Sequence, residues 1–117
     1  MADRRELGEL GEALAERLLR SKGYRILARN HRTRLGEIDL VCRDRDTIVF
    51  VEVKARTSDA FGSPADAVGS TKRSRLRRLA EEYLAGRGEE DRPVRFDVVS
   101  VRLDGPAPAV EHIEGAF

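Results

Sequence analysis

At 117 residues, with 40% hydrophobic and 37% charged side chains, the chain has the composition of one soluble globular domain, residues 1–117, around a single modest core. No apolar run approaches the roughly 18 residues of a membrane span, and Met1-Ala-Asp-Arg-Arg-Glu6 lacks a signal-peptide core, so the expected compartment is the cytoplasm. A net charge of +1 excludes a globally basic nucleic-acid binder, and the single Cys42 excludes an internal disulfide or a cysteine-built zinc site.

The first element is an amphipathic helix from about Arg4 to Lys22, with Leu7, Leu10, Leu14 and Leu18 as its apolar stripe and Ala15 and Leu19 widening it. Asp3 is its N-cap and Gly23 its stop. Gly8 and Gly11 each cost about 1 kcal/mol relative to Ala inside a helix, which suggests close approach of another backbone. Tyr24 to Ala28 reads as a short strand, followed by a polar loop or hairpin connection from Arg29 to Gly36. Glu37 to Cys42 alternates, with Ile38, Leu40 and Cys42 on one face and Glu37, Asp39 and Val41 on the other. Cys42 is expected as a small apolar residue on a buried strand face.

Asp44-Arg-Asp46 makes a tight turn into Ile48–Lys54, a strongly β-branched strand. Thr57 to Pro64 reads as loop. A second helix, capped by Ser70 or Thr71, runs to about Ala85 and buries Leu76, Leu79, Ala80, Tyr83 and Leu84. After a polar connection from Gly86 to Pro93, Phe96–Val101 forms a fourth strand and Val110–Ile113 a short fifth. The order α-β-β-β-α-β predicts an α/β fold with a mixed central sheet flanked by helices.

The chemistry is concentrated in Ile48-Val-Phe-Val-Glu-Val-Lys54. Alternation places Ile48, Phe50, Glu52 and Lys54 on one face of an otherwise apolar strand. A carboxylate and an ammonium there are costly unless paired, hydrated or bound to an ion. Taken alone, the tripeptide is equally a structural salt bridge at a strand end. Asp39 adds to it: a hairpin turning near Arg45 makes residues 39 and 52 cross-strand neighbours. Two facing carboxylates repel, and a hard cation between them, Mg2+ or Mn2+, resolves the repulsion. Lys54 would then stand beside the metal's water or stabilise the transition state.

Charge is also unevenly spread. The segments Lys22–Arg34 and Lys72–Arg78 each carry five positive charges and no acid. Such patches on a near-neutral chain suit a polyanion held on one face, or are simply solvated surfaces.

Asp39 followed by Glu52-Val-Lys54 resembles the D-x(n)-E-x-K signature of PD-(D/E)xK nucleases. Gly11-Glu-Ala-Leu-Ala15, Gly36-Glu-Ile-Asp-Leu40, Phe50-Val-Glu-Val-Lys54, Phe61-Gly-Ser-Pro64 with Ala67-Val68, and Arg95-Phe-Asp-Val-Val99 resemble the bacterial YraN family. That family in turn resembles archaeal Holliday junction resolvases. The resemblance implies a restriction-endonuclease-like fold and a metal-dependent endonuclease acting on double-stranded or branched DNA. It implies Glu12, otherwise a plain solvated helix acid, as a third acid of the metal cluster with Asp39 and Glu52. Glu37 shares the predicted face of Asp39 and could assist it. Arg29, Arg32, Arg34, Lys72, Arg73, Arg75 and Arg77, with Arg78, become the expected phosphate contacts. By analogy with resolvases a homodimer is expected. The alternative is a non-catalytic nucleic-acid-binding module that keeps the nuclease fold and acts in DNA repair, recombination or uptake. A generic α/β protein with surface salt bridges would bind no specific ion.

Overall fold

The computed structural model describes residues 3–57 and 68–117. Beyond Thr57, the loop expected to run to Pro64 lies outside the described residues, as does Phe61-Gly-Ser-Pro64. The elements are α1 (Arg4–Ser21), β1 (Arg25–Thr33), β2 (Gly36–Asp44), β3 (Thr47–Arg56), α2 (Ser70–Arg87), β4 (Val94–Arg102) and β5 (Ala109–Ile113). The strands form one sheet in the order β1-β2-β3-β4-β5. β3 and β4 are parallel and every other neighbouring pair is antiparallel. This is the expected mixed α/β sheet, compatible with a restriction-endonuclease-like core. No helix among the described residues is long and apolar enough to cross a membrane.

Each helix covers its own core. Ile38, Val41, Ile48, Phe50, Phe96 and Val98 pack with Leu76, Leu79 and Tyr83 of α2. Leu40, Cys42, Val49, Val51, Val99 and Val101 pack with Ala15 and Leu19 of α1. Cys42 is fully buried, as expected. The alternation of β3 is as read, whereas that of β2 breaks: Ile38 packs with Val41, not with Leu40 and Cys42. The ladder between β2 and β3 ends at Leu40–Val51. One residue further, Asp39 Oδ2 accepts the Val53 N–H at 2.8 Å, so a side chain replaces the backbone acceptor and the strands splay.

Local signals set the ends of α1. Asp3 accepts the Glu6 N–H at 2.8 Å, and Gly23 stands just past the helix at φ 89°. The face of α1 differs from the expected leucine stripe. Gly11, Ala15 and Leu19 form its buried line, while Leu10 is 46% exposed. Small residues win because they let the helix approach β3: a Cβ on Gly11 would stand 2.6 Å from that of Ala55. Gly8, by contrast, has nothing near its Cβ position.

β1 is longer than expected and takes in Arg29 and Arg32, leaving Arg34 and Leu35 as the turn. A register shift between Ile26 and Ala28 and the left-handed Asn30 (φ 50°) break its regularity. Its charged residues suit an edge strand that must resist pairing with other chains. Gly69, not Ser70 or Thr71, is the N-cap of α2, with no side-chain cap bond. That helix continues through Gly86 and stops at the left-handed Gly88 (φ 67°), where the Gly88 and Glu89 N–H groups close onto Ala85 and Leu84.

Candidate active site

Where β2 and β3 splay, the sheet opens towards both helices. Asp39, Val53, Lys54 and Arg56 line a cavity of about 570 Å³ with Arg4, Gly8 and Glu12 of α1. A smaller cavity of about 230 Å³ on the α2 side is lined by Glu37, Asp39, Glu52, Lys72, Arg75 and Leu76. Asp39 is common to both, and no His or Cys lines either.

Of the three expected acids, each brought by a different element, Glu12 and Asp39 line the larger cavity and Asp39 and Glu52 the smaller. The rotation of α1 onto Gly11 and Ala15 carries Glu12 to the flank that faces β1 and β2. Partial burial, then the nearby Glu37, hold its carboxyl above the ordinary range, while the Asn30 side chain, hydrogen-bonded to it, works the other way. Burial pushes Asp39 up to about 7, and Glu52 opposite adds to this; the Val53 N–H opposes it, and Glu12 and Glu37 add further. Glu37 also pairs with Arg32 at 3.2 Å.

Glu52 is 6% exposed and is held by two ammonium groups on the same oxygen. Lys54 Nζ lies 3.4 Å from Oε1, and Lys72 of α2 donates a short hydrogen bond to it. Lys54 is lowered, by burial first and then by Lys72 beside it. Lys72 is raised, its contacts with Glu52 and Lys54 outweighing the cost of burial.

The oxygen-only donor set fits a hard divalent cation. Asp39 commits one oxygen to Val53 and makes no other hydrogen bond among the described residues. Burial first, and then the carboxylate of Glu52, hold its carboxyl above the ordinary range. The acids are nonetheless spread: among the described residues, the one set of three metal-ligand atoms within 4.8 Å of one another is Asp97, His112 and Glu114. That set is already satisfied. Asp97 accepts hydrogen bonds from Arg95 Nε and Nη2 and the Gly115 N–H, and shares one with His112 Nε2. Tyr24 donates to Glu114 and accepts from Arg95, tying the carboxy-terminal segment to the sheet.

The expected phosphate contacts separate into two groups. Arg29 pairs with Glu16 through two bonds of 2.6 and 3.0 Å, and Arg32 pairs with Glu37. Arg73 donates to the Val68 carbonyl and lies 5.4 Å from the Phe117 ring, while Arg77 lies 5.0 Å from that of Phe96. All four thus have a partner within the chain, Arg29 and Arg32 through largely exposed ion pairs. Arg34 and Arg78 are exposed and without an ion pair among the described residues; Arg75 stacks its stem over Gly36 at the rim of the smaller cavity. Sequence reading missed Asn30, Arg4 and the entry of Lys72 into the site. A lone Asn in a basic edge strand was a usable signal for a left-handed residue; the other two depend on packing.

The family model described as "Uncharacterised protein family UPF0102" matches residues 11–101. A UPF0102 protein of Moorella thermoacetica is 53% identical over 116 residues, 97% of each chain. One from Anaeromyxobacter dehalogenans is 50% identical over 97% of this chain and 85% of its own, and one from Pelotomaculum thermopropionicum is 49% identical over the full length of both. The matched segment holds Glu12, Asp39, Glu52, Lys54 and Lys72 together, and the chain belongs to the UPF0102 family, also called YraN.

Proposed function

We propose that this chain is a Mg2+- or Mn2+-dependent endonuclease that hydrolyses phosphodiester bonds of double-stranded or branched DNA. The observation that carries this reading is the splayed hairpin end, where Asp39 and Glu52 line one cavity and Lys54 lies 3.4 Å from Glu52. Asp39 and Glu52 would hold the ion, with Glu12 completing the shell from α1, directly or through water. When bound, the cation supplies charge to the phosphoryl oxygens and acidifies a water molecule. Lys54 stabilises the negative charge that develops on the phosphoryl oxygens. In the overall reaction a water oxygen bonds to phosphorus, one ester P–O bond breaks, and the leaving oxygen takes a proton. Arg75 at the rim of the smaller cavity, with the exposed Arg34 and Arg78, would hold neighbouring phosphates, which gives affinity without base reading.

The test is cleavage of linear, nicked, flapped and four-way DNA in Mn2+, with Glu52→Gln and Lys54→Met variants verified as folded. Cleavage by the parent chain and its loss in both variants is expected. Equal cleavage by Glu52→Gln overturns the reading. Mn2+-dependent DNA binding without turnover would instead favour a non-catalytic binding module.

A further inference from the structure

We propose that Lys72 is the internal counter-ion of the metal site, and that a divalent ion displaces it from Glu52. This rests on the metal-site reading above and adds an order of events to it. Glu52 is almost wholly buried, and one oxygen, Oε1, meets both Lys54 and Lys72. A buried carboxylate needs a cation, and these two lysines satisfy that need. A divalent ion shared by Asp39 and Glu52 would bring two more positive charges against the same oxygens. Two ammonium groups and the ion within a few ångströms repel one another strongly, so one lysine must leave.

The geometry selects which. Lys54 is on the same strand as Glu52, two residues on, and its side chain is 26% exposed. Lys72 reaches across from the first turn of α2 on a four-carbon stem, its side chain is 41% exposed, and the 230 Å³ cavity with Arg75 lies beside it. It has room to swing, and the move costs no backbone change. The displaced ammonium stays at the rim with Arg75, where the two cations form a phosphate-binding pair. Metal loading thus turns an inward-facing counter-ion into an outward-facing substrate contact, so Mn2+ binds first and DNA second.

The test is Mn2+ titration by calorimetry on the full chain and on its Lys72→Met, Lys72→Gln and Lys72→Arg variants. Removing the competing charge should tighten Mn2+ binding about tenfold in Met and Gln, whereas Arg keeps the charge and stays close to the parent; the size corresponds to about 1.4 kcal/mol. A purely structural lysine predicts equal or weaker binding in all three. The parent chain gives a readout without substitution. Reductive methylation of Lys72, followed by mass spectrometry, should speed up severalfold in saturating Mn2+. Equal Mn2+ affinity in parent, Met and Gln, or methylation that ignores Mn2+, overturns the displacement while leaving the metal site intact. No Mn2+ binding by any of the four overturns the metal site and the displacement with it.

Discussion

Two buried carboxylates stand one residue apart in register on neighbouring strands and face opposite sides of the sheet. In the parallel pairing of β3 with β4, Val51 is opposite Asp97 and Glu52 opposite Val98. Asp97 is fully buried and surrounded by donors: a guanidinium fork, an imidazole and a backbone N–H. Its pKa is lowered; burial alone would raise it, but His112 and then Arg95 outweigh that. Around Glu52 the balance differs. Two lysines share one oxygen, Asp39 opposite it is pushed up to about 7, and Glu12 is raised as well. A saturated charge cluster holds structure together, whereas one with crowded acids and partly exposed lysines is the better candidate for a binding site.

The largest effect expected from breaking this contrast is catalytic. Asp39→Asn, Glu52→Gln or Lys54→Met should lower Mn2+-dependent DNA cleavage by about 10³-fold, on the order of 4 kcal/mol in barrier, with folding retained by circular dichroism. Asp97→Ala should do the reverse. It removes the fully buried acceptor shared by Arg95, His112 and the Gly115 N–H, leaving Arg95 only Asp44, Glu114 and Tyr24, and should cost about 3 kcal/mol in urea unfolding, while cleavage per folded molecule stays near that of the parent.

The two sites should also respond to pH with opposite sign. Asp97, lowered in the fold, contributes stability that is present above its ordinary value of 3.8 and is lost as pH falls through its folded pKa. Asp39, raised from 3.8 to about 7, contributes stability that is full below 3.8 and is lost as pH rises through about 7. Unfolding curves measured without divalent ions should therefore fall less steeply between these values in Asp39→Asn than in the parent. An unchanged slope would break the comparison. The smallest effects concern the two helix glycines. Gly11→Ala meets Ala55 and should destabilise by about 1–3 kcal/mol, while Gly8→Ala meets nothing and should stabilise by up to about 1 kcal/mol, both read by thermal melting.

Part of the geometry around the candidate site was legible before folding. The facing of Asp39 and Glu52 followed from a turn centred near Arg45, and the ladder keeps that register through Leu40–Val51, with Asp44 opposite Thr47 at the turn. The shared face of Ile48, Phe50 and Glu52 followed from strand alternation, which nothing interrupts in β3. Other features were not legible, because a competing interaction decided them. The leucine periodicity of α1 pointed to Leu10, yet the helix buries Gly11 and Ala15, where it can come closest to Ala55. The alternation of β2 failed at Asp39, where a carboxylate replaced a ladder acceptor. The contacts of Arg73 and Arg77 with Val68, Phe96 and Phe117 likewise came from packing, not from any local pattern.

The sequence by itself determined the period of β3, the N-cap Asp3 and the stop at Gly23 on α1, and the register that brings residue 39 beside residue 52. Each depends on backbone geometry over a few residues or on the arithmetic of one short turn. Only the tertiary structure decided that α1 turns Glu12 towards the opening, that Lys72 crosses twenty positions of sequence to reach Glu52, and that Asp97 is saturated. Those outcomes depend on how closely two layers pack and on which charges they bring together, and no local period encodes that distance.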